Sequence, residues 1–143
     1  MRTALIAAAL AVLSSTAAVA ETAPAANATV RFAFETGAQT GKIMVALYNS
    51  ADSYSGGAPV KAVQVDVAAG QHEAVFADLP AGDYAMKAFH DVDGNGRMNT
   101  NPFGMPTEPF AFSNNARGNM GPASWDRAEF AASGAVAQTI VIR

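Results

Sequence analysis

The sequence predicts an all-β fold, an antiparallel β-sandwich of about seven strands with one long irregular loop. Three observations predict it. Apolar residues recur at period two over short runs, as in Val30, Phe32 and Phe34, or Val63, Val65 and Val67, which turns one face of each run toward a core. Turn signals rich in Gly and Pro separate the runs, and no long period-3.6 pattern intervenes. Residues 91–124 break the rhythm, with five Gly, four Pro and six Asn in 34 residues. So long an irregular stretch is uncommon in a compact domain without a functional reason.

The chain opens with a leader. Met1-Arg2 supplies a positive start, Ala4 to Leu13 is a ten-residue apolar run, and Ala18-Val19-Ala20 is a small-x-small pattern ahead of Glu21. This is the layout of a secretory signal peptide. Cleavage is expected after Ala20, with a periplasmic or secreted product. The apolar run is shorter than the roughly 20 residues of a spanning helix, and no later segment is long and apolar enough to span. No Cys beside the cleavage point offers a lipid attachment. The remainder, 21–143, is one domain's length of chain. The net charge of −3 becomes more negative without Arg2. An acidic domain is a poor ligand for nucleic acid, whose phosphates require a basic surface, and for anionic lipid. The chain has no Cys, which excludes disulfides, thiol redox chemistry and cysteine-based zinc sites. Packing or a bound metal must hold the fold instead.

Residues 21–27 are small and polar and read as a frayed start. The Val30–Phe34 run is a half-buried strand, followed by a turn bracketed by Thr36-Gly37 and Gly41. Ile43 to Tyr48 is continuously apolar, which suits a strand buried on both faces or central in a sheet. Residues 49–58 are loop by composition. Val63 to Val67 is a third strand, and Glu73 to Leu79 a fourth whose two faces are not cleanly separated. Pro80-Ala81-Gly82-Asp83 is a tight turn, leading into a strand from Tyr84 to His90. Within 91–124 only Thr107 to Phe112 has strand character. Residues 125–130 form a helical turn or a strand, with Trp125 and Phe130 pinning the segment to the core. Val136 to Ile142 closes the sheet structure.

One motif carries chemistry. The strand ending at His90 runs into Asp91-Val92-Asp93-Gly94-Asn95-Gly96-Arg97-Met98-Asn99. The spacing D-x-D-x-N-G-x-x-N matches the first nine positions of a calcium loop. Asp91, Asp93 and Asn95 fall at ligand positions one, three and five, and Gly96 at the sharp turn. Arg97 would offer its carbonyl, and Asn99 would act directly or through water. Calcium is a hard cation that takes six to eight oxygens, and alternate side chains on a tightly wound loop converge on one point. Position twelve, normally a bidentate Glu, is Pro102, and a strand rather than a helix leads in. Glu108 can supply the missing carboxylate if the chain folds back. Two certain carboxylates predict weak calcium binding in the 91–101 loop, on the order of 10⁻⁴–10⁻³ M. The alternative is a turn held only by its own side-chain hydrogen bonds.

At these residues the chain resembles a known family. The strings L-P-A-G-D-Y-A-M-K-A-F-H-D-V-D-G-N-G-R-M-N-T-N, F-G-M-P-T-E, F-S-N-N-A and G-P-A-S-W are similar to the exported bacterial family called domain of unknown function 2141. The likeness covers about residues 30–142. It implies an Ig-like or transthyretin-like β-sandwich with no established activity. Members often carry Asp where Asn99 stands. The L-P-A-G-D-Y-A turn is also similar to that of carboxypeptidase regulatory-type sandwich domains, where leucine, glycine and tyrosine shape the start of a strand.

Other residues invite stronger readings. His90 beside Asp91 suits a general base, but such a base requires a positioned partner and a pocket. His72, the other His, lies on a different strand. Ser113 lies in F-S-N-N rather than a nucleophile elbow. Phe103, Met105, Phe110, Phe112, Met120 and Trp125 either form a binding face for a carbohydrate or protein partner, or fold down as a cover over one sheet. Asn114, Asn115 and Asn119 either contact a ligand or satisfy turn backbone. The reading that follows is an exported, non-enzymatic module that binds calcium and uses residues 91–124 for a partner or ligand. Two alternatives stand beside it. One is a hydrolase-like enzyme using His90, Asp91 and Glu108. The other is an assembly module pairing through an open sheet edge.

Overall fold

The computed structural model describes residues 27–143. The expected leader and its cleavage site lie outside the described residues. Among the described residues, eight strands form two stacked sheets with two short helices, so the sandwich class expected from the period-two runs is the architecture found.

Strand β1 (Ala28–Glu35) shows the cleanest alternation: Ala28, Val30, Phe32 and Phe34 are buried, and the residues between them face outward. It is the centre of a three-stranded sheet, with β4 (Glu73–Leu79) on one side and β8 (Ala135–Val141) on the other. The β4 pairing is antiparallel. The β8 pairing is parallel, from Thr29 opposite Ala135 to Glu35 opposite Val141, so the sandwich is not wholly antiparallel as expected. Parallel neighbours require a crossover, and here the whole second sheet lies in the chain between them. The blurred faces of β4 also have a cause. Asp78 adopts φ 56°, and the register to β1 shifts between the Val30–Phe76 and Ala28–Leu79 pairs. This irregularity puts Leu79 on the buried side with Ala74 and Phe76.

The second sheet has the order β3 (Lys61–Asp66), β2 (Lys42–Tyr48), β5 (Gly82–Asp91), β6 (Phe110–Phe112). Strand β7 (Phe130–Ala132) pairs with the other end of β5. The apolar run of β2 is thus central, as its composition predicted. Ile43, Val45 and Leu47 enter the core, while Met44, Ala46 and Tyr48 face out and are half-buried. Residues 49–58 are not all loop, because Ala51–Gly56 forms helix α1. The Ser50 hydroxyl accepts from the Ser53 N–H at 3.2 Å and caps it. Six residues are too few to display a helical period.

The Pro80–Asp83 turn is tied by the Tyr84 hydroxyl, which donates to the Pro80 carbonyl at 2.6 Å, while Leu79 is buried beside it. Between the sheets, Phe32 meets Phe76 and Phe130 edge-on at 6.2 and 5.8 Å. These rings join Ile43, Leu47, Met86 and Ile140 in one continuous core. A second, smaller cluster lies on the outer face of the β2–β5 sheet, where Tyr54 of α1 and Trp125 of helix α2 (Trp125–Ala128) pack over Ala85. Trp125 and Phe130 therefore both pin the chain, on opposite faces. No helix among the described residues is long and apolar enough to cross a membrane.

Candidate functional site

The outward residues of the β2–β5 sheet form rows across the strands. The pairings place Met44 beside Phe89 and Ala46 beside Lys87. They place Phe112 beside Lys87 and Phe110 beside Phe89 on the other side. The last row holds Lys42 and Asp91. Chain direction thus sets an acidic loop at one end of this face, an apolar floor next to it, then Lys87, and finally the Tyr54–Trp125 cluster.

Asp91 ends β5 and is buried. Its Oδ1 accepts from the N–H groups of Gly94 at 2.9 Å and Asn95 at 3.1 Å. Its Oδ2 accepts from Gly96 N–H at 2.8 Å. The loop can wind this tightly because Gly96 adopts φ 79°, which costs an L side chain. Asp93 is exposed. Its Oδ1 accepts from Asn95 N–H at 3.1 Å, and its Oδ2 from the amide nitrogens of Asn99 at 2.7 Å and Asn95 at 3.2 Å. These bonds, Asn99 first and then the Asn95 backbone, hold the Asp93 carboxyl below its ordinary value.

Glu108 does fold back. It is buried, its Oε1 accepts from Val92 N–H at 2.9 Å, and its Oε2 accepts from Asn99 N–H at 3.0 Å. The fold-back is a small arm. Thr107 N–H donates to the Asn99 carbonyl, Asn101 N–H to Met105, and Gly104 N–H to Asn101, all at 2.8–2.9 Å. The Asn101 Oδ1 caps the turn by accepting from Phe103 and Met105 N–H. Residues 99–108 of the segment expected to be irregular are therefore an ordered hairpin with Glu108 at its root.

Asp91, Asp93 and Glu108 each place one carboxylate oxygen within 4.8 Å of the others. Two oxygens that both lie about 2.3–2.6 Å from one calcium ion are at most about 5 Å apart, so the trio fits a hard cation. Of the five residues expected as ligands, Asp91 and Asp93 come together, and the carboxylate beside them is that of Glu108, as Pro102 has none. Asn95 and Asn99 adjoin Asp93, but through their amide nitrogens. Asn95 also donates to the Asn99 Oδ1 at 2.6 Å and accepts from Arg97 N–H at 2.8 Å. Calcium ligation by either amide requires it to turn over. Gly41 (φ 69°) lies directly under this loop, where a Cβ would stand 2.0 Å from the Asp91 carbonyl oxygen.

His90 is not part of the cluster. It follows Tyr84, Met86 and Ala88 on the core-facing side of β5, whereas Asp91 faces out. Its Nε2 lies 2.6 Å from the Thr40 carbonyl, and its Nδ1 is buried without a partner. The Ser113 hydroxyl accepts from Met86 N–H at 2.9 Å and donates to the Ala128 carbonyl. His72 contributes its carbonyl to Phe34 N–H. Asn114 and Asn115 satisfy backbone. Asn114 donates to the carbonyls of Arg127 and Glu129. Asn115 donates to the Thr139 carbonyl and accepts from Val141 N–H, both at 2.8 Å. That last pair covers the outer edge of β8, where an unpaired strand otherwise invites another chain.

The apolar loop residues divide. Phe112 is buried and Trp125 half-buried, so these two cover the sheet. Phe103 and Met105 on the arm, and Met120, are 89%, 62% and 102% exposed. They rim an open groove of about 1100 Å³ over the Met44–Phe89 floor, at the upper end of the size of small-molecule sites. The Lys87 Nζ stands at the aromatic end, donating to the Tyr54 carbonyl at 2.5 Å and lying 4.2 Å over the Tyr54 ring. Burial lowers the Lys87 ammonium below its ordinary value and pushes the Tyr54 phenol up to about 12, with Tyr48 adding a second, smaller upward push. Sequence reasoning missed the groove and Lys87. The only available signal was the outward half of the Ile43–Tyr48 run, which is apolar without facing the core.

Fold and site together define a class: an all-β sandwich whose long connection is built into an arm with an acidic root and an apolar tip. The chain belongs to the family described as uncharacterized protein conserved in bacteria (DUF2141), whose profile matches residues 17–140. No curated protein and no solved structure matches it.

Proposed function

We propose that this chain is an exported, non-enzymatic β-sandwich module. It binds calcium in the 91–101 loop and holds a partner or ligand in the groove beneath the 91–124 region. The arm carries this reading: Phe103 and Met105 are kept in water by a hairpin tied by the Thr107–Asn99 and Asn101–Met105 backbone bonds and by Glu108 at its root. Apolar side chains displayed on an ordered support mark interaction sites. Three carboxylates at the root, spaced for a hard cation, support calcium as the ion that stiffens it. The Ala4–Leu13 run and the Ala18-Val19-Ala20 pattern support export. The engagement of His90 by Thr40 and of Ser113 by Met86 and Ala128 supports a role without catalysis.

The test is calcium titration of metal-free protein. At 10 mM calcium, a site of order 10⁻⁴–10⁻³ M stabilises by about 1.5–3 kcal/mol, read as a rise in Tm. Asp93→Ala, at an exposed position, abolishes the rise without unfolding the protein. No rise in the unaltered protein removes calcium from the proposal. Export is checked separately, by fractionating cells and finding Glu21 at the new N-terminus.

A further inference from the structure

We propose that the groove takes a free single-chain amphiphile with a carboxylate head, a fatty acid, with the head on Lys87 and the tail on the Met44–Phe89 floor. This inference rests on the groove reading above and not on calcium. Among the described residues Lys87 is the one charged residue lining a mostly apolar groove. Its ammonium has three donor hydrogens, and the Tyr54 carbonyl takes one. Among the described residues the Arg31–Glu73 pair is the ion pair present, so no carboxylate among them neutralises Lys87. A partly desolvated cation at the end of an apolar surface complements an anion attached to hydrocarbon.

The tail's chemistry follows from the lining. The floor crosses β3, β2, β5 and β6, about 14 Å at the usual strand spacing. Gln64, on the edge strand β3, is the one other polar chain-end besides the Tyr48 phenol, and neither carries a charge to hold an anionic head. Four of the six methionines in the sequence (Met44, Met98, Met105 and Met120) line the groove. Unbranched thioether side chains adapt to a flexible chain better than a stiff aromatic wall does. Lys87 is half-buried beneath Tyr48 and Tyr54, and the protein is net negative. A bilayer surface therefore suits the site less than a monomeric lipid that can enter it.

Calorimetry with decanoate and dodecanoate below their micelle concentrations, and decanol below its solubility limit, tests the inference. Decanoate is expected to bind at least about tenfold more tightly than decanol, as a charge-assisted hydrogen bond provides. Affinity should rise about fourfold per added methylene. Lys87→Gln should bring decanoate down to decanol and leave decanol unchanged. Phe103→Ser, at an exposed rim position, should weaken both. Trp125, in edge contact with Tyr54 at 5.8 Å, gives a fluorescence readout of head binding that Lys87→Gln should remove. Equal affinity for decanoate and decanol overturns the carboxylate assignment. Binding of an amphipathic leucine-rich peptide but of none of the three amphiphiles overturns the fatty-acid inference and leaves the groove reading standing. Binding of neither the peptide nor any amphiphile overturns both.

Discussion

The root and the tip of the arm are opposite solutions to the same problem of exposed chain. At the root, between Asp91 and Asn99, carboxylates gather most of the backbone N–H groups: Asp91 satisfies three, and Glu108 clamps two more across the hairpin. At the tip, Phe103 and Met105 make no such accommodation and stand in water. A segment so arranged turns its polar chemistry onto its own backbone and leaves its apolar side chains uncovered. The root determines shape, and the tip presents surface.

The comparison is broken most severely at Asp91. Asp91→Ala removes the acceptor for three N–H groups, each bonded to a charged oxygen, a class of bond that contributes about 1.5–3 kcal/mol. Residues 94–96 are exposed and water can replace part of what is lost, so the expected loss is about 2–3 kcal/mol, measured by urea denaturation. A loss under about 1 kcal/mol would show that the loop does not depend on this carboxylate for its shape.

A milder perturbation is acid. The Asp93 carboxyl titrates below its ordinary value of 3.8 because the Asn99 and Asn95 bonds favour its charged form. A depressed folded value means that the unfolded chain binds the proton more readily. The contribution is therefore complete above the ordinary aspartate range and is lost as the pH falls through the lowered value. Melting curves taken downward from pH 5 should show the unaltered protein losing more stability than Asp93→Asn over that window. Equal losses would place the acid sensitivity elsewhere.

How far these regions can be read from sequence also differs. The root was legible in part because its chemistry is local: D-x-D sets the Asp91 and Asp93 carboxylates on one turn, whereas the Asn95 and Asn99 amides turn their nitrogens toward Asp93 and the return of Glu108 depends on the hairpin. Strands β1 and β5 were legible for the same reason, through alternation. The parallel pairing of β8 with β1 was not, because Val136 to Ile142 carries no mark of which strand it will meet or in which direction. Helix α1 was hidden in a Ser- and Gly-rich stretch, where the Ser50 cap gave the one hint. The edge-covering role of Asn115 and the position of Lys87 in the groove arise from residues far apart in sequence. They exist only once the two sheets and the arm have met. The expectation of a loose 91–124 segment failed at Asn99–Thr107, because Asn, Gly and Pro build tight turns as readily as they avoid regular structure.

The smallest expected effect gives the sharpest contrast. Phe103→Ser removes a large ring that the structure leaves 89% exposed, and substitutions at such positions usually change stability by less than about 0.5 kcal/mol. Unchanged urea midpoints, beside the large loss at Asp91, would establish that the arm is held from its root alone and that its tip is free to meet something else. A loss above about 1.5 kcal/mol would mean that in solution the ring lies down on the Met44–Phe89 floor. The arm would then be a cover for the sheet, and the groove would be filled by the chain's own side chain, because a ring that stabilises the fold must be removing apolar surface from water.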